Sequence, residues 1–134
     1  MEKREEIIRY RIRKAKEELK NSELSFINSL YNPCVSSSYF AIFHAARALL
    51  AAKGLVSKKH AGVIHLFSAH FIRPGLINPE YGKMIRSAFE QRNNSDYADM
   101  YYVDNQQAEI QLTNAKEFLK MAESFLSSEY GIKV

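Results

Sequence analysis

The chain has 134 residues, 46% of them hydrophobic and 25% charged, values that fit one globular domain with a real core and exclude a disordered or membrane-embedded chain. Its one cysteine, Cys34, excludes an intrachain disulfide and fits a reducing, cytoplasmic setting. The net charge of +4 is unevenly spread, with 16 Lys/Arg against 8 Asp/Glu in residues 1–92 and 3 against 7 in residues 93–134; this reads either as a basic surface for nucleic acid or an acidic partner, or, since glutamates interleave the basic residues, as internal pairing of a basic first helix with an acidic last one, the reading the pattern favours.

Met1 leads into charged sequence without an apolar run, so no signal peptide is expected. Residues 3–30 predict one long helix: Ile8, Ile12, Ala15, Leu19, Ser22 and Phe26 recur at alternating steps of four and three, a narrow bundle-type stripe. Asn32-Pro33 is expected to end it. Ser36 to Gly54 follows, and between Tyr39 and Ala52 only His44 and Arg47 are strongly polar. A helix apolar nearly all round is a buried one. Two polar residues and its short length argue against a membrane span. Ser36 to Ser38 offer capping hydroxyls and Gly54 a stop. His44 and Arg47 share a face with Phe40 and Ala51. Arg47 is expected to pair with a carboxylate, so that Arg47→Ala would cost on the order of 3 kcal/mol or more and the surface change Lys58→Ala under about half a kcal/mol.

Ser57 is the expected N-cap of a helix over Lys58 to Ile72, with His60, Ile64, Phe67 and Phe71 on one face, broken by Arg73-Pro74-Gly75. Asn78-Pro79-Glu80 starts the next: Asn at the N-cap, Pro at the first helical position, Glu in the first turn. Its apolar face is Tyr81, Met84, Ile85, Ala88 and Phe89, and Arg92 prolongs that inward stripe. Asn93 to Val103 has neither period and reads as a loop. Asp104 with Gln107 makes a capping-box start for a last helix striped by Ala108, Leu112, Ala115, Leu119, Ala122 and Leu126 and widened by Phe118 and Phe125. That helix is expected to end near Ser128, with Gly131 onward frayed. With no strand pair, repeat or linker, residues 1–134 predict a single all-α domain, an up-and-down four- to five-helix bundle around the buried central helix.

Little here has the form of familiar catalytic chemistry. His44, His60, His65 and His70 make no His-Glu-x-x-His pattern, and Cys34 is remote from them, so no metal is expected. No two of the five glycines lie close enough to build a phosphate loop, and no cofactor is expected. Asp96 and Asp99 read as solvated loop residues. Arg92 to Tyr102 is the stretch that remains.

Three segments in order, YFAIFHAARALLAAKGL, KKHAGVIHLFSAHFI and GLINPEYGKMIRSAFEQRNNSDYADM, resemble the small HEPN-domain proteins of archaea and bacteria. The resemblance runs from about Tyr39 to Tyr102. It implies a four- to five-helix bundle, usually a homodimer, often encoded beside a minimal nucleotidyltransferase that neutralises it. Many members are ribonucleases of toxin or phage-defence type. These carry an Arg, commonly a polar follower, and a His beyond four to six intervening residues, the Arg stabilising phosphate and the His moving protons at the ribose 2′-OH. Arg92 and Asn93 match the first half. Tyr97, Ala98 and Asp99 occupy the positions open to the His, and no histidine follows His70. In some toxins of this family a Tyr two residues past the His is modified by the nucleotidyltransferase; that position is Asp99 here.

The expectation is therefore a dimeric binding module without ribonuclease activity, taking a nucleotide, an RNA or a nucleotidyltransferase partner, and no membrane. Its ligand residues would be Arg92, Asn93, Asp96, Tyr97 and Tyr101. The alternative is a ribonuclease of variant chemistry that joins Arg92 to Tyr97 or to His44. For Arg92 the bland reading is a half-buried ion pair with Asp96 or Asp99 that orders the loop. The apolar run Met100-Tyr101-Tyr102-Val103 either forms a dimer surface or folds back over the bundle.

Overall fold

The computed structural model describes residues 2–134. Its centre is a helix, here α2, over Tyr31–Ala52, in which 14 of 22 side chains are buried, enough to make it a core helix on nearly every face. It is long and apolar enough to cross a membrane, but 72% of its most apolar window is buried inside the bundle. Small residues allow this. Ala41, Ala45, Ala46 and Ala48 are all fully buried, letting the backbones of neighbouring helices come close.

Four helices surround it: α1 (Glu2–Ile27), the short α3 (His60–Phe67), α4 (Pro79–Tyr97) and α5 (Asn105–Tyr130). Ser22 of α1 meets Cys34 and Ser38, while Arg4 reaches Ala52, so α1 runs antiparallel to α2. Asn32 meets Ser95 and Tyr39 meets Phe89, which makes α4 antiparallel to α2 as well. Lys16 faces Glu123 and Glu23 faces Lys116, so α5 is antiparallel to α1. The four long helices thus alternate up and down, as expected. The predicted stripes hold: Ile8, Ile12 and Ala15 of α1, Ile85 and Ala88 of α4, and the whole heptad series of α5 from Ala108 to Leu126 are buried.

Several boundaries differ from expectation. The first helix stops at Ile27, and Ser29, at φ 60°, turns the chain so sharply that α2 begins at Tyr31. Pro33 then sits in the first turn of α2, where a missing N–H breaks no helical bond, instead of terminating α1. Ser36 to Ser38 consequently lie inside the helix and cap nothing. Ser38 is buried and hydrogen-bonded at 2.5 Å to Ser22, whose hydroxyl also reaches the Cys34 carbonyl at 2.9 Å. Ser57 is not an N-cap either: its hydroxyl donates to the Lys59 carbonyl, and Lys59 opens α3. The helix over residues 58–72 is in fact α3 followed by a π-helical turn, Ser68–Ile72, closed by the bond from Arg73 N–H to the Ser68 carbonyl.

The start of α4 is as expected, with Asn78 Oδ1 accepting from Glu80 N–H, and so is the Asp104–Gln107 capping box of α5. But α4 runs on to Tyr97, through residues expected to form a loop. The Arg92–Asp96 pair, spaced i,i+4, and an exchange of bonds between Asn32 and Ser95 supply the anchoring that the polar residues lack by propensity. The true loop is residues 98–104. At the other end, residues 131–134 are not frayed. Gly131, at φ 65°, caps α5; Ile132 is 5% exposed in the core, and Arg9 and Lys16 bind the carbonyls of Lys133 and Val134. The charge asymmetry is only partly internal. Lys16–Glu123 and Lys116–Glu23 join α1 to α5, but with opposite polarity and both exposed.

Candidate functional site

Arg92 stands one turn before the end of α4, on the inward stripe, and its side chain is only 15% exposed. Three aromatic rings surround its guanidinium: Phe40 at 5.1 Å, Tyr97 at 5.4 Å and Tyr39 at 5.9 Å from Cζ to ring centroid. Such cation–π contacts hold a guanidinium without consuming its N–H donors. Nε lies 3.0 Å from Asp96 Oδ2, so the Arg92–Asp96 pair foreseen from the sequence forms. It is an ion contact rather than an aligned hydrogen bond, since the buried Nε–H finds no acceptor in line among the described residues. Nη1 donates a long 3.4 Å bond to Asn93 Oδ1. Asp96 is steadied in turn by the Ser36 hydroxyl at 3.3 Å. Asp99 is exposed and takes no part in an ion pair among the described residues.

The loop after α4 is tied to the start of α2 through one side chain. Asn32 Nδ2 donates to the carbonyls of Ser95 and Tyr101, and Asn32 Oδ1 accepts from Val103 N–H. Half of the apolar run therefore folds back: Val103 is buried and Tyr101 half-buried, while Met100 and Tyr102 remain 85% and 80% exposed. The Tyr101 hydroxyl donates to Gln91 Oε1 at 3.0 Å, and its ring is not among those around Arg92. Of the two tyrosines expected beside Arg92, the geometry brings up Tyr97 and not Tyr101.

Two further groups complete the site, Tyr39 and His60, neither expected there from the sequence. Tyr39 is fully buried beneath Arg92, and its hydroxyl is 2.6 Å from His60 Nδ1. The His60 ring stacks on Phe43 at 4.5 Å. Burial, then the charges of Arg92 and Arg47, pull the His60 imidazole below its ordinary pKa. Burial above all pushes the Tyr39 phenol up. The available signal was a polar tip on each of two apolar stripes, which must find a partner once buried.

His44 has the Phe40 ring as a neighbour, as Arg92 does, with centroids 6.4 Å apart. Its Nδ1 is buried and lacks a hydrogen-bond partner among the described residues. Burial first, then the charges of Arg11, Arg47 and Lys14, lower its pKa to about 4, against a smaller opposing effect of Glu17. The imidazole is thus neutral at pH 7. Because the folded pKa lies below the ordinary 6.5, the unfolded chain takes up the proton first as pH falls. Stability due to His44 is complete above about pH 6.5 and drains away toward pH 4. After discounting for solvent screening of a half-exposed ring, about 1–2 kcal/mol is expected to be lost over that window. Urea unfolding at both pH values should show a smaller loss for His44→Phe; an equal loss would mean that the ring titrates normally.

Arg47 corrects another expectation. It pairs with no carboxylate among the described residues; its guanidinium lies 5.7 Å from the Phe43 ring centroid and beside Arg11, whose charge adds to burial in lowering its pKa. Removing it orphans no buried anion. Arg47→Ala is therefore expected to cost less than about 1.5 kcal/mol, not 3 or more, in a melting or denaturant comparison with Lys58→Ala.

An antiparallel bundle of four long helices, one of them buried at its centre, with an aromatic-caged arginine where α4 meets a tethered loop, defines a small all-α module whose distinctive polar group is a guanidinium. Residues 8–125 match the HEPN domain, and the chain belongs to the HEPN family. It is 35% identical over 128 residues to a UPF0332 protein of Thermotoga maritima, covering 96% of this chain and 92% of that one. A UPF0332 protein of Archaeoglobus fulgidus is 36% identical over 114 residues, 85% of this chain and 90% of its own. A Methanocaldococcus jannaschii protein named "Putative toxin MJ0605" is 44% identical over 83 residues, 62% of each chain.

Proposed function

We propose that this HEPN-family chain is a binding module that takes a phosphate-bearing ligand, a nucleotide or an RNA end, on Arg92, works as a homodimer and does not cleave RNA. The observation that carries the reading is the state of Arg92. It is caged by three rings and touched by Asp96 on Nε, while Nη2 makes no hydrogen bond to the described residues. A guanidinium held in this way is preorganised to grip phosphate with its outer edge, and the exposed Tyr97 ring offers a base a stacking surface. Met100 and Tyr102, exposed on the loop that follows α4, support a second copy or a nucleotidyltransferase as the protein partner.

The test is a fluorescence-anisotropy titration of a 5′-phosphorylated RNA oligonucleotide against wild type, Arg92→Ala and Arg92→Lys. Loss of a charge-assisted pair is expected to weaken binding at least about tenfold in Arg92→Ala, with Arg92→Lys between. Affinity unchanged by Arg92→Ala would overturn the binding role. Light scattering at micromolar concentration should give the mass of a dimer, and a monomer mass would remove the homodimer. The second reading, a ribonuclease of toxin type, draws support from the relative's name and from Tyr97 beside Arg92.

A further inference from the structure

A cavity of about 300 Å³, of which Arg92 is not part, lies between the early turns of α1 and the end of α2 with its connection to α3. Its apolar wall is formed by Ile7, Leu50 and Val56. Arg11 and Arg47 also line it, one from each helix. Each guanidinium is held against a ring, Arg11 over Tyr10 at 5.3 Å and Arg47 over Phe43 at 5.7 Å. Neither has a carboxylate within ion-pair distance among the described residues, although Glu6 is part of the same lining. Arg47 is half-buried beside an apolar hollow and feels the like charge of Arg11. An anion between the two guanidiniums would relieve the burial of Arg47 and the repulsion between them.

We infer that this cavity is a binding site for a small organic acid, its carboxylate gripped by Arg11 and Arg47 and its apolar body lying against Ile7, Leu50 and Val56. The volume is at the lower end of small-molecule sites, which suits a medium-chain aliphatic acid rather than a nucleotide. Charge complementarity names the head group, and the apolar wall names the tail. A bare anion would leave the wall wet; an uncharged alcohol would leave the guanidinium pair unneutralised. The site is separate from Arg92 and does not depend on the function proposed for it.

The probe is octanoate, with octanol and inorganic phosphate as partial mimics, read by calorimetric titration and thermal shift on the full chain. Octanoate is expected to bind and to raise the melting temperature; octanol and phosphate should each bind at least about tenfold more weakly. Arg11→Gln, Arg47→Gln and the space-filling Val56→Trp, at an exposed position, should each weaken octanoate by a similar factor. Arg92→Ala should leave it unchanged. Octanol binding as well as octanoate, or octanoate binding that survives Val56→Trp and Arg11→Gln together, would overturn the site. So would the absence of octanoate binding at millimolar concentration, or a change of oligomeric mass in Val56→Trp, which would assign the cavity to a contact between copies.

Discussion

Tyr39→Ala is expected to cost about 3–5 kcal/mol, the usual penalty for deleting a buried aromatic ring, while Tyr39→Phe costs about 1–2. The ring is fully buried and packs on Phe40, Phe43 and Phe89 with centroids 5.3, 5.8 and 5.7 Å away. It joins α2, α3 and α4 at one point, since its hydroxyl reaches His60 and its face supports Arg92. Alanine would open a cavity at this junction and leave His60 Nδ1 without its partner. Phenylalanine keeps the packing and loses only the bond. Urea unfolding of both variants gives the contrast directly, and for a chain of this size the alanine change should lower the melting temperature by roughly 10–20 °C. Equal costs for the two variants would mean that the hydroxyl, not the ring, holds the junction. Loss of Arg92-dependent binding in Tyr39→Ala alone would follow from the same geometry.

Where one force dominates, the fold could be read from the chain. Tyr39 to Ala52 is apolar nearly all round, with only His44 and Arg47 strongly polar, and a central helix hides it. The stripe of α5 and the Asn78-Pro79-Glu80 start are local signals that nothing overrides. The failures share a different cause. Pro33 looks like a stop until Ser29 turns the chain early and moves it into a first turn. Ser36 to Ser38 look like caps, but Ser38 serves a buried bond to Ser22, sixteen residues away. Asn93 to Tyr97 look like a loop because their helical state depends on Asn32, a contact across more than sixty positions. Arg92 and Tyr97 were legible as a pair only through the resemblance to the HEPN motif. Tyr39 and His60 were not, because their meeting is tertiary. Arg47 was expected to find an anion because buried charges usually do; here its partners are a ring and a cavity.

Tyr97→His is expected to raise cleavage of single-stranded RNA above the wild-type level by about 10²–10⁴-fold, the usual contribution of one general acid–base group. A tyrosine at position 97 supplies no group suited to proton transfer at neutral pH. A phenol titrates near pH 10 and exchanges protons poorly at neutral pH, whereas an exposed imidazole titrates near 6.5. Position 97 is 71% exposed, so the substitution disturbs no core packing, and the present ring is already 5.4 Å from Arg92. Two native histidines near Phe40 are engaged elsewhere. His44 is kept neutral by burial and neighbouring cations, with its Nδ1 turned into the protein, and His60 spends its Nδ1 on Tyr39. A histidine at 97 would be exposed, titrating and next to the guanidinium that would bear the phosphate. The assay is a fluorogenic RNA at pH 7 with wild type, Tyr97→His, Tyr97→Phe and Tyr97→His combined with Arg92→Ala. Gain in Tyr97→His, no gain in Tyr97→Phe and loss in the double variant would establish that this site is a ribonuclease geometry wanting only its proton carrier. Wild-type cleavage that vanishes in Arg92→Ala or His44→Ala would instead show that catalysis already runs through the native groups. No gain in Tyr97→His, with RNA still bound, would mean that phosphate does not sit where Arg92 and position 97 converge.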